Sequence, residues 1–204
     1  VHNPEGVLYG RLPGFGLSEL GHDMAARLAG YWKGAPLTHL RCSPLQRARE
    51  TLAPTADLFP QLDVVIDERV IEAANAFEGK VFGADNKALR DVRMIRHVLN
   101  PLRPSWGEPY REIVARMRAA MDDAAAAAGP GGQALVVSHQ LPIEMARRDA
   151  EGRLLAHDPR RRRCTLVSVT SFTFRGGFIT AVDYAEPARD LLPAKRGRRF
   201  RVGT

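Results

Sequence analysis

The sequence contains few cysteines and no long apolar run. Its two cysteines, Cys42 and Cys164, lie far apart and lack metal-ligand spacing, so we expect reduced thiols and neither a disulfide framework nor a zinc site. No apolar stretch approaches the length of a membrane span, and no signal-peptide pattern opens the sequence. We therefore expect a cytoplasmic protein without a membrane partner.

Several catalytic motifs are absent as well. The six histidines are scattered, and none forms an H-x-x-x-H pair or stands at ligand spacing from a carboxylate. The sequence has no Walker loop, dinucleotide fingerprint or serine-hydrolase elbow. The glycine cluster at 129–132 follows a predicted helix and not a strand, so it indicates a turn. No metal ion or organic cofactor is expected.

The charge balance is basic, with a formal net charge of +7 over 204 residues. Much of the excess lies at the end of the sequence, in a stretch without acids. Its basic residues are Lys195, Arg196, Arg198, Arg199 and Arg201. We interpret residues 1–190 as a single domain, long enough for a substantial core, and 191–204 as a tail predicted to be disordered. Nucleic-acid binding by this tail is the less favoured alternative.

Predicted strands and helices alternate along the chain. The strands cover 37–41, 62–66 and 134–137, and a terminal β-hairpin covers 165–174 and 178–184. The helices cover 18–31, 43–52, 86–99, 109–128 and 141–149. This order predicts an α/β fold with a mostly parallel sheet, helices on both faces and a C-terminal hairpin. The continuously apolar strand 134–137 suits the middle of that sheet.

The stretch Ser43–Thr51 follows the first of these strands and opens a helix. Ser43 has the residue type of an N-cap, Pro44 suits the first helical position, and Gln46 completes a capping box. The free N–H groups at such a helix start form an anion site, to which Arg47 adds a guanidinium. Taken alone, the stretch is explained slightly better by an ordinary capped helix with a surface arginine.

The same stretch resembles the S-P-L-x-R-A-x-x-T signature of the histidine phosphatase superfamily. Three further segments fall in that family's order. Leu17–Gly21 resembles its L-T-x-x-G, Val70–Glu72 with Phe77–Gly79 resembles its L-x-E…E-G, and Val136–His139 resembles its V-V-S-H. The resemblance covers most of the chain and implies the phosphoglycerate-mutase-like fold.

The resemblance also implies roles for individual residues. Arg47 and His139 match the groups that bind the transferring phosphoryl group, and an imidazolium at His139 is an electrophile for its oxygens. Glu72 matches the proton donor to the leaving alkoxide. Arg11 and Asn3 match the family's polar contacts to the phosphate. From the residues alone, His139 is more often a satisfied core or surface histidine than a catalyst, and Glu72 belongs to a solvated acidic loop.

The sequence departs from the family's pattern at two places and carries one unexplained charge cluster. Gln140 stands where the family usually has glycine, and the segment 73–77 lacks the commoner glycine. Four consecutive arginines occupy positions 160–163. They are either a solvated face or the fringe of a pocket that favours substrates with several anionic groups. The sequence leaves both interpretations open.

The family's nucleophile is a histidine in an R-H-G or R-H-A motif that ends the first strand. The sequence starts at Val1-His2-Asn3, which resembles the region just after that motif, and its first residue is not methionine. His2 is a poor replacement because no arginine precedes it and no predicted strand carries it. We therefore expect a fragment whose first strand and nucleophile lie upstream of residue 1 and which is inactive as numbered. A natural pseudoenzyme is the less favoured alternative.

These observations predict a metal-independent phosphomonoester hydrolase that acts through a phosphohistidine on a small phosphorylated metabolite. The alternatives are a phosphoglycerate-mutase-type phosphotransferase and a non-catalytic protein that binds a phosphorylated ligand. A phosphatase is preferred because the chain is short and lacks the extra segments that shelter a mutase intermediate from water. The sequence selects neither the phosphomonoester nor the oligomeric state, for which a homodimer is one option.

Overall fold

The structure, a computed structural model, describes residues 1–81 and 107–192. Its helices are α1 (Glu19–Trp32), α2 (Gln46–Ala56), α3 (Tyr110–Ala128) and α4 (Gln140–Ala150). Its strands are β1 (Leu37–Cys42), β2 (Val64–Ile66), β3 (Gln133–Val137), β4 (Val169–Arg175) and β5 (Phe178–Ala185). The predicted helix 86–99 and nearly all of the predicted basic tail lie outside the described residues. The domain boundary at residue 190 stays a prediction.

The strands β1, β2 and β3 form a parallel sheet in the order β2-β1-β3. Cys42 at the end of β1 lies opposite Ile66 of β2 and Val137 of β3. The carboxyl ends of all three strands therefore meet at one edge of the sheet. The loops that leave this edge carry Ser43 and His139, so the sheet brings two distant parts of the chain together.

Helices cover both faces of this sheet, as the sequence predicts. On one face, Leu40 of β1 and Leu135 of β3 pack with Leu52 of α2. On the other face, Val136 of β3 packs against a cluster contributed mainly by α3 and α4. Because consecutive residues of β3 enter different clusters, the alternation of the strand separates the two layers. None of the helices within the described ranges is long and apolar enough to cross a membrane.

The strands β4 and β5 form the predicted antiparallel hairpin, separate from the parallel sheet. Gly176 and Gly177 make its turn with φ angles of 57° and 80°, a conformation that residues with a Cβ rarely adopt. The prediction that residues 134–137 lie in the middle of the sheet is wrong for the described residues, where β3 pairs only with β1. A cavity of about 2520 Å³ is lined by both β3 and β4.

Candidate active site

Ser43 and His139 meet at the carboxyl edge of the sheet. The N–H of Ser43 donates to the carbonyl of Val137 at 3.0 Å, which holds the two strand ends together. The Oγ of Ser43 and the Nε2 of His139 then share a hydrogen bond of 2.7 Å. Both residues are buried, with exposed fractions of 0% and 7%. His139 is therefore fixed by its neighbour and faces the cavity that β3 lines.

This contact overturns the predicted capping of α2. The helix begins at Gln46, with Leu45 as an N-cap that makes no side-chain cap bond. Ser43 lies outside the helix and binds His139, and the side chain of Gln46 donates to Glu50 at 2.7 Å. The Oγ of Ser43 also accepts a long hydrogen bond of 3.4 Å from the N–H of Leu45, and the capping box is incomplete because the side chain of Gln46 binds Glu50.

Arg47 lies in the first turn of α2 and is only 6% exposed. Its Nη2 donates to the carbonyl of Gly10 at 2.8 Å, and its guanidinium lies 4.7 Å from the centre of the Tyr9 ring. Gly10 has a φ of 38°, and a Cβ there would collide with the side chain of Glu78. Within the described ranges, no carboxylate lies at ion-pair distance from Arg47. Its charge therefore remains available to an anion in the cavity.

Glu72 lines the same cavity as Arg47 and His139. Its Oε1 accepts a hydrogen bond of 2.8 Å from the N–H of Ala73. Burial raises the pKa of Glu72, and the hydrogen bond from Ala73 and the charge of Arg47 only partly oppose this shift. A raised pKa keeps the proton on the carboxyl group, which is the state that a general acid needs.

A network of ion pairs holds the Glu72 loop in place. Arg11 donates to the backbone carbonyl of Glu72 at 2.6 Å and to the carboxylate of Glu108 at 2.8 Å. Arg116 donates to the carbonyl of Ile71 at 2.8 Å and to the other oxygen of Glu108 at 2.6 Å. Arg11 is thus placed beside Glu72, where it holds the acid's backbone. Sequence reasoning missed Glu108 and Arg116 because no motif marks them.

Asn3 is not brought to the cavity. Its Nδ2 donates to the carbonyl of Val7 at 2.9 Å, and its Oδ1 accepts from the N–H of the same residue at 3.0 Å. Both polar atoms of the side chain are therefore occupied in closing a local turn. Asn3 does not line the cavity in this structure, and its expected contact with a phosphate stays a prediction.

The protonation state of His139 also differs from the expectation. Burial lowers its pKa to about 3, and the positive charges of Arg47, Arg116 and Arg11 act in the same direction. The imidazole is therefore neutral in the ligand-free site, where an imidazolium was expected. A bound phosphate would introduce negative charge beside this ring and favour its protonated form.

The cavity combines a buried guanidinium, a neutral imidazole and a protonatable carboxyl group. Such a set can bind the oxygens of a tetrahedral dianion and pass a proton to a leaving group. In the part of the chain that the structure describes, no three histidine, cysteine, aspartate or glutamate side chains cluster as metal ligands. The buried thiols of Cys42 and Cys164 have pKa values raised by burial to about 12 and about 11, so they are poor nucleophiles.

The chain is similar to proteins from several bacteria and a protist. It is 47% identical over 188 residues to uncharacterized protein Rv0525 of Mycobacterium tuberculosis, with 92% of each chain covered. YhfR of Bacillus stearothermophilus superposes with a TM-score of 0.71 at 23% identity, covering 84% of this chain and 85% of that one. A phosphoserine phosphatase of Entamoeba histolytica, solved with 3-phosphoglyceric acid, gives a TM-score of 0.68 at 18% identity, covering 89% and 90%.

The two solved structures establish the likeness of fold. The family comes from the sequence, whose residues 1–187 match the family model of the histidine phosphatase superfamily (branch 1). This match spans every segment that carries the resemblance, from Leu17–Gly21 to Val136–His139. The chain belongs to the histidine phosphatase superfamily, branch 1.

Proposed function

We propose that this protein is a metal-independent phosphomonoester hydrolase that acts in the cytoplasm on a small phosphorylated metabolite. The observation that carries the proposal is the meeting of Arg47, His139 and Glu72 at one cavity. Arg47 has no carboxylate partner there among the described residues, so it has the free charge that a phosphoryl group requires. Glu72 has the raised pKa that a proton donor requires.

The reaction proceeds in two steps. A histidine nitrogen attacks phosphorus and forms a P–N bond, the ester P–O bond breaks, and Glu72 gives its proton to the departing alkoxide. Water then attacks the phosphohistidine, gives a proton to the Glu72 carboxylate and releases inorganic phosphate. Arg47 and His139 donate hydrogen bonds to the phosphoryl oxygens throughout, and these bonds strengthen as charge develops on the oxygens.

We further propose that the nucleophile is a histidine upstream of Val1. Support comes from the position of Val1, which lines the same cavity as Arg47 and His139. A chain that continues upstream from Val1 therefore leads towards the phosphate-binding groups. The strands β3 and β4 line the same cavity, and an upstream strand would lie in this cavity beside β3.

The experiment compares residues 1–204 with a chain extended by the upstream coding sequence, if an in-frame apolar run ending in Arg-His is found there. Both are assayed with 4-nitrophenyl phosphate in EDTA, and the extended chain is trapped for phosphohistidine. We expect turnover and phosphohistidine only in the extended chain. Robust metal-independent turnover by residues 1–204 would overturn the upstream nucleophile, and loss of turnover in EDTA would overturn the metal-independent mechanism.

The phosphate-binding groups are tested in the active form. The substitutions Arg47→Ala and His139→Ala should each lower kcat/KM by about 10²- to 10³-fold, as the loss of one preorganised donor does. Arg49→Ala is the matched control, because Arg49 lies on the same helix turn with an exposed side chain. A comparable loss in the control would show a general effect of charge and would remove the specific role of Arg47.

A further inference from the structure

The four consecutive arginines divide into three different environments. Arg160 and Arg161 are 73% and 87% exposed and both lie beside Asp158. Arg163 places its guanidinium 4.7 Å from the centre of the Tyr184 ring. Arg162 is half-buried and lines the cavity that also contains Glu72 and His139. The sequence left two interpretations open, a solvated face and the fringe of a pocket. Arg160, Arg161 and Arg162 all line the cavity, and Arg162 is the least exposed of the three.

Arg162 is held by neutral partners. Its Nε donates to the Nε2 of His157 at 2.9 Å, and its Nη1 donates to the Oε1 of Gln140 at 3.2 Å. The Nδ1–H of His157 donates to the carbonyl of Leu155 at 2.8 Å, which leaves Nε2 as the acceptor of a neutral ring. Across residues 1–81 and 107–192, no carboxylate lies at ion-pair distance from Arg162. The hydrogen bonds therefore orient the guanidinium group of Arg162, and no carboxylate among the described residues neutralises its charge.

The position of Arg162 is fixed relative to the phosphate-binding groups. Gln140 directly follows His139, and its Nε2 donates to the carbonyl of Cys164 at 3.0 Å while its Oε1 accepts from Arg162. The N–H of Arg163 donates at 3.2 Å to Glu144, a fully buried residue of α4. The arginine segment is thus tied to α4 at Arg162 itself and at the two residues that follow it. Gln140, which stands where the family usually has glycine, makes two of these hydrogen bonds.

The guanidinium of Arg162 also acts on the acid of the site. Burial raises the pKa of Glu72, and the positive charge of Arg162 is one of the charges that partly oppose this rise. Its charge is therefore close enough to Glu72 to be felt through the cavity. The leaving group of a bound phosphomonoester must lie near Glu72, because this residue is the proposed proton donor. Arg162, which lines the cavity with Glu72, is therefore placed to reach the alcohol part of a substrate whose phosphoryl group lies at Arg47 and His139.

We propose that Arg162 forms a second anion subsite, and that the substrate is a phosphomonoester whose alcohol part carries a carboxylate or a second phosphate. This inference rests on the proposed function and specifies its substrate class. The Nη2 of Arg162 makes none of the hydrogen bonds found among the described residues, so the guanidinium can still donate to an anionic group. A preorganised guanidinium binds such groups with little loss of side-chain freedom.

Equilibrium binding tests the subsite without requiring turnover. Calorimetric titration of the purified protein uses inorganic phosphate, glycerol 3-phosphate, 3-phosphoglycerate and glycerol 1,3-bisphosphate. We expect at least one of the two doubly anionic esters to bind about tenfold or more tightly than glycerol 3-phosphate, as a charged hydrogen bond provides. Arg162→Gln should abolish this difference and leave the affinity for phosphate within about twofold. Arg161→Gln is the charge-matched control and should keep the difference, because its side chain is exposed.

The outcomes separate the two proposals. Binding of phosphate and all three esters with equal affinity would overturn the subsite and leave the proposed function standing. No binding of any of the four ligands would overturn both. A parallel loss of phosphate affinity in Arg162→Gln would show a structural role and also overturn the subsite. If Arg162→Gln does not fold, Gln140→Ala replaces it, since loss of this tie should reduce the preference for the doubly anionic ester several-fold.

Discussion

At the scale of single residues, burial shifts two titrating groups of the site in opposite directions. Desolvation disfavours the charged form of any group, so it raises the pKa of Glu72 and lowers that of His139. In the free site burial therefore favours the protonated form of the Glu72 carboxyl group and the neutral form of the His139 imidazole. Its positive charge resides in the arginines, chiefly Arg47. Phosphate binding is thus expected to couple to proton uptake by His139.

The role of Glu72 as proton donor predicts a dependence on the leaving group. Glu72→Gln should lower kcat about 10²- to 10³-fold for an alkyl phosphate, whose alkoxide needs a proton. With 4-nitrophenyl phosphate the loss should stay below about tenfold, because nitrophenolate leaves without protonation. Steady-state kinetics of the active form measure both values, with Glu68→Gln, an exposed residue of the same loop, as the control. Equal losses for both substrates would remove Glu72 from this role.

The neutral state of His139 predicts a specific loss of stability at acid pH. The pKa of its ring is about 3 in the folded protein, against an ordinary value of 6.5. Between these two pH values the unfolded chain binds a proton that the folded chain does not bind. The unfolding free energy should therefore fall as pH decreases from 6.5 towards 3, by up to about 1.4 kcal/mol per pH unit.

Denaturant unfolding at a series of pH values measures this effect, with His139→Gln as the reference that cannot titrate. The slope of the wild type minus that of the variant isolates the contribution of His139. Added phosphate should reduce this slope, because a bound anion favours the protonated ring. If the wild type and the variant give identical slopes, the pKa of His139 is the same in the folded and the unfolded chain.

Arg47, Glu72 and His139, which the sequence singled out as candidates, line one cavity, but the sequence did not show what holds them in place. Arg47, Glu72 and His139 are recognisable because each belongs to a short motif with local spacing. Glu108 and Arg116 act through contacts to residues far away in the sequence, and no local pattern encodes such contacts. The hydrogen bonds between Asn3 and Val7 were likewise visible only in the structure.

At the scale of elements, the acid loop depends on a carboxylate that lies outside it. Glu108 pairs with both Arg11 and Arg116, and these arginines bind the backbone carbonyls at Ile71 and Glu72. Its side chain is only 13% exposed, so the pairs are shielded from solvent. Removal of this shared carboxylate leaves two cations close together in a partly buried place.

We therefore predict that Glu108→Ala reduces both stability and catalysis. The unfolding free energy should fall by about 3 kcal/mol, in the range for breaking a buried ion pair. Turnover of an alkyl phosphate should fall more than turnover of 4-nitrophenyl phosphate, because the displaced group is the acid. Thermal unfolding and steady-state kinetics measure the two effects, with the exposed Glu112→Ala of α3 as the control. Unchanged kinetics in a destabilised variant would limit Glu108 to a structural role.

The elements themselves were largely predictable from periodicity, and their ends were not. Helix α1 begins at Glu19, one residue after the predicted start, because Ser18 is its N-cap and accepts from the N–H of Gly21 at 3.2 Å. Helix α2 starts at Gln46, two residues later than the predicted first helical residue Pro44, and Ser43 instead binds His139 across the sheet. Local propensity describes a cap only where no distant partner competes for the same hydroxyl group.

At the scale of the whole molecule, the alternation of strands and helices was sufficient for the fold class. The order of the strands was not predictable, since an apolar run at 134–137 looks the same in the middle of a sheet and beside a cavity. In the described residues β1 occupies the centre, and β3 has β1 on one side and the cavity on the other. The cavity is the feature that connects the fold to the proposed upstream strand.

The final prediction concerns the free edge of β3. Successive N–H groups of a strand point to opposite sides, so part of β3 donates towards β1 and part towards the cavity. In residues 1–204, hydrogen exchange should therefore be fast at alternate amides of β3 and slow throughout the middle of β1. In the extended chain, an added strand would pair with the free amides, which should become protected together with those of β4. Hydrogen exchange measured by NMR for each residue shows which amides of β3 are protected in the two proteins. If all amides of β3 are as protected as those of β1 in residues 1–204, the edge is already covered and the upstream strand has no place beside it.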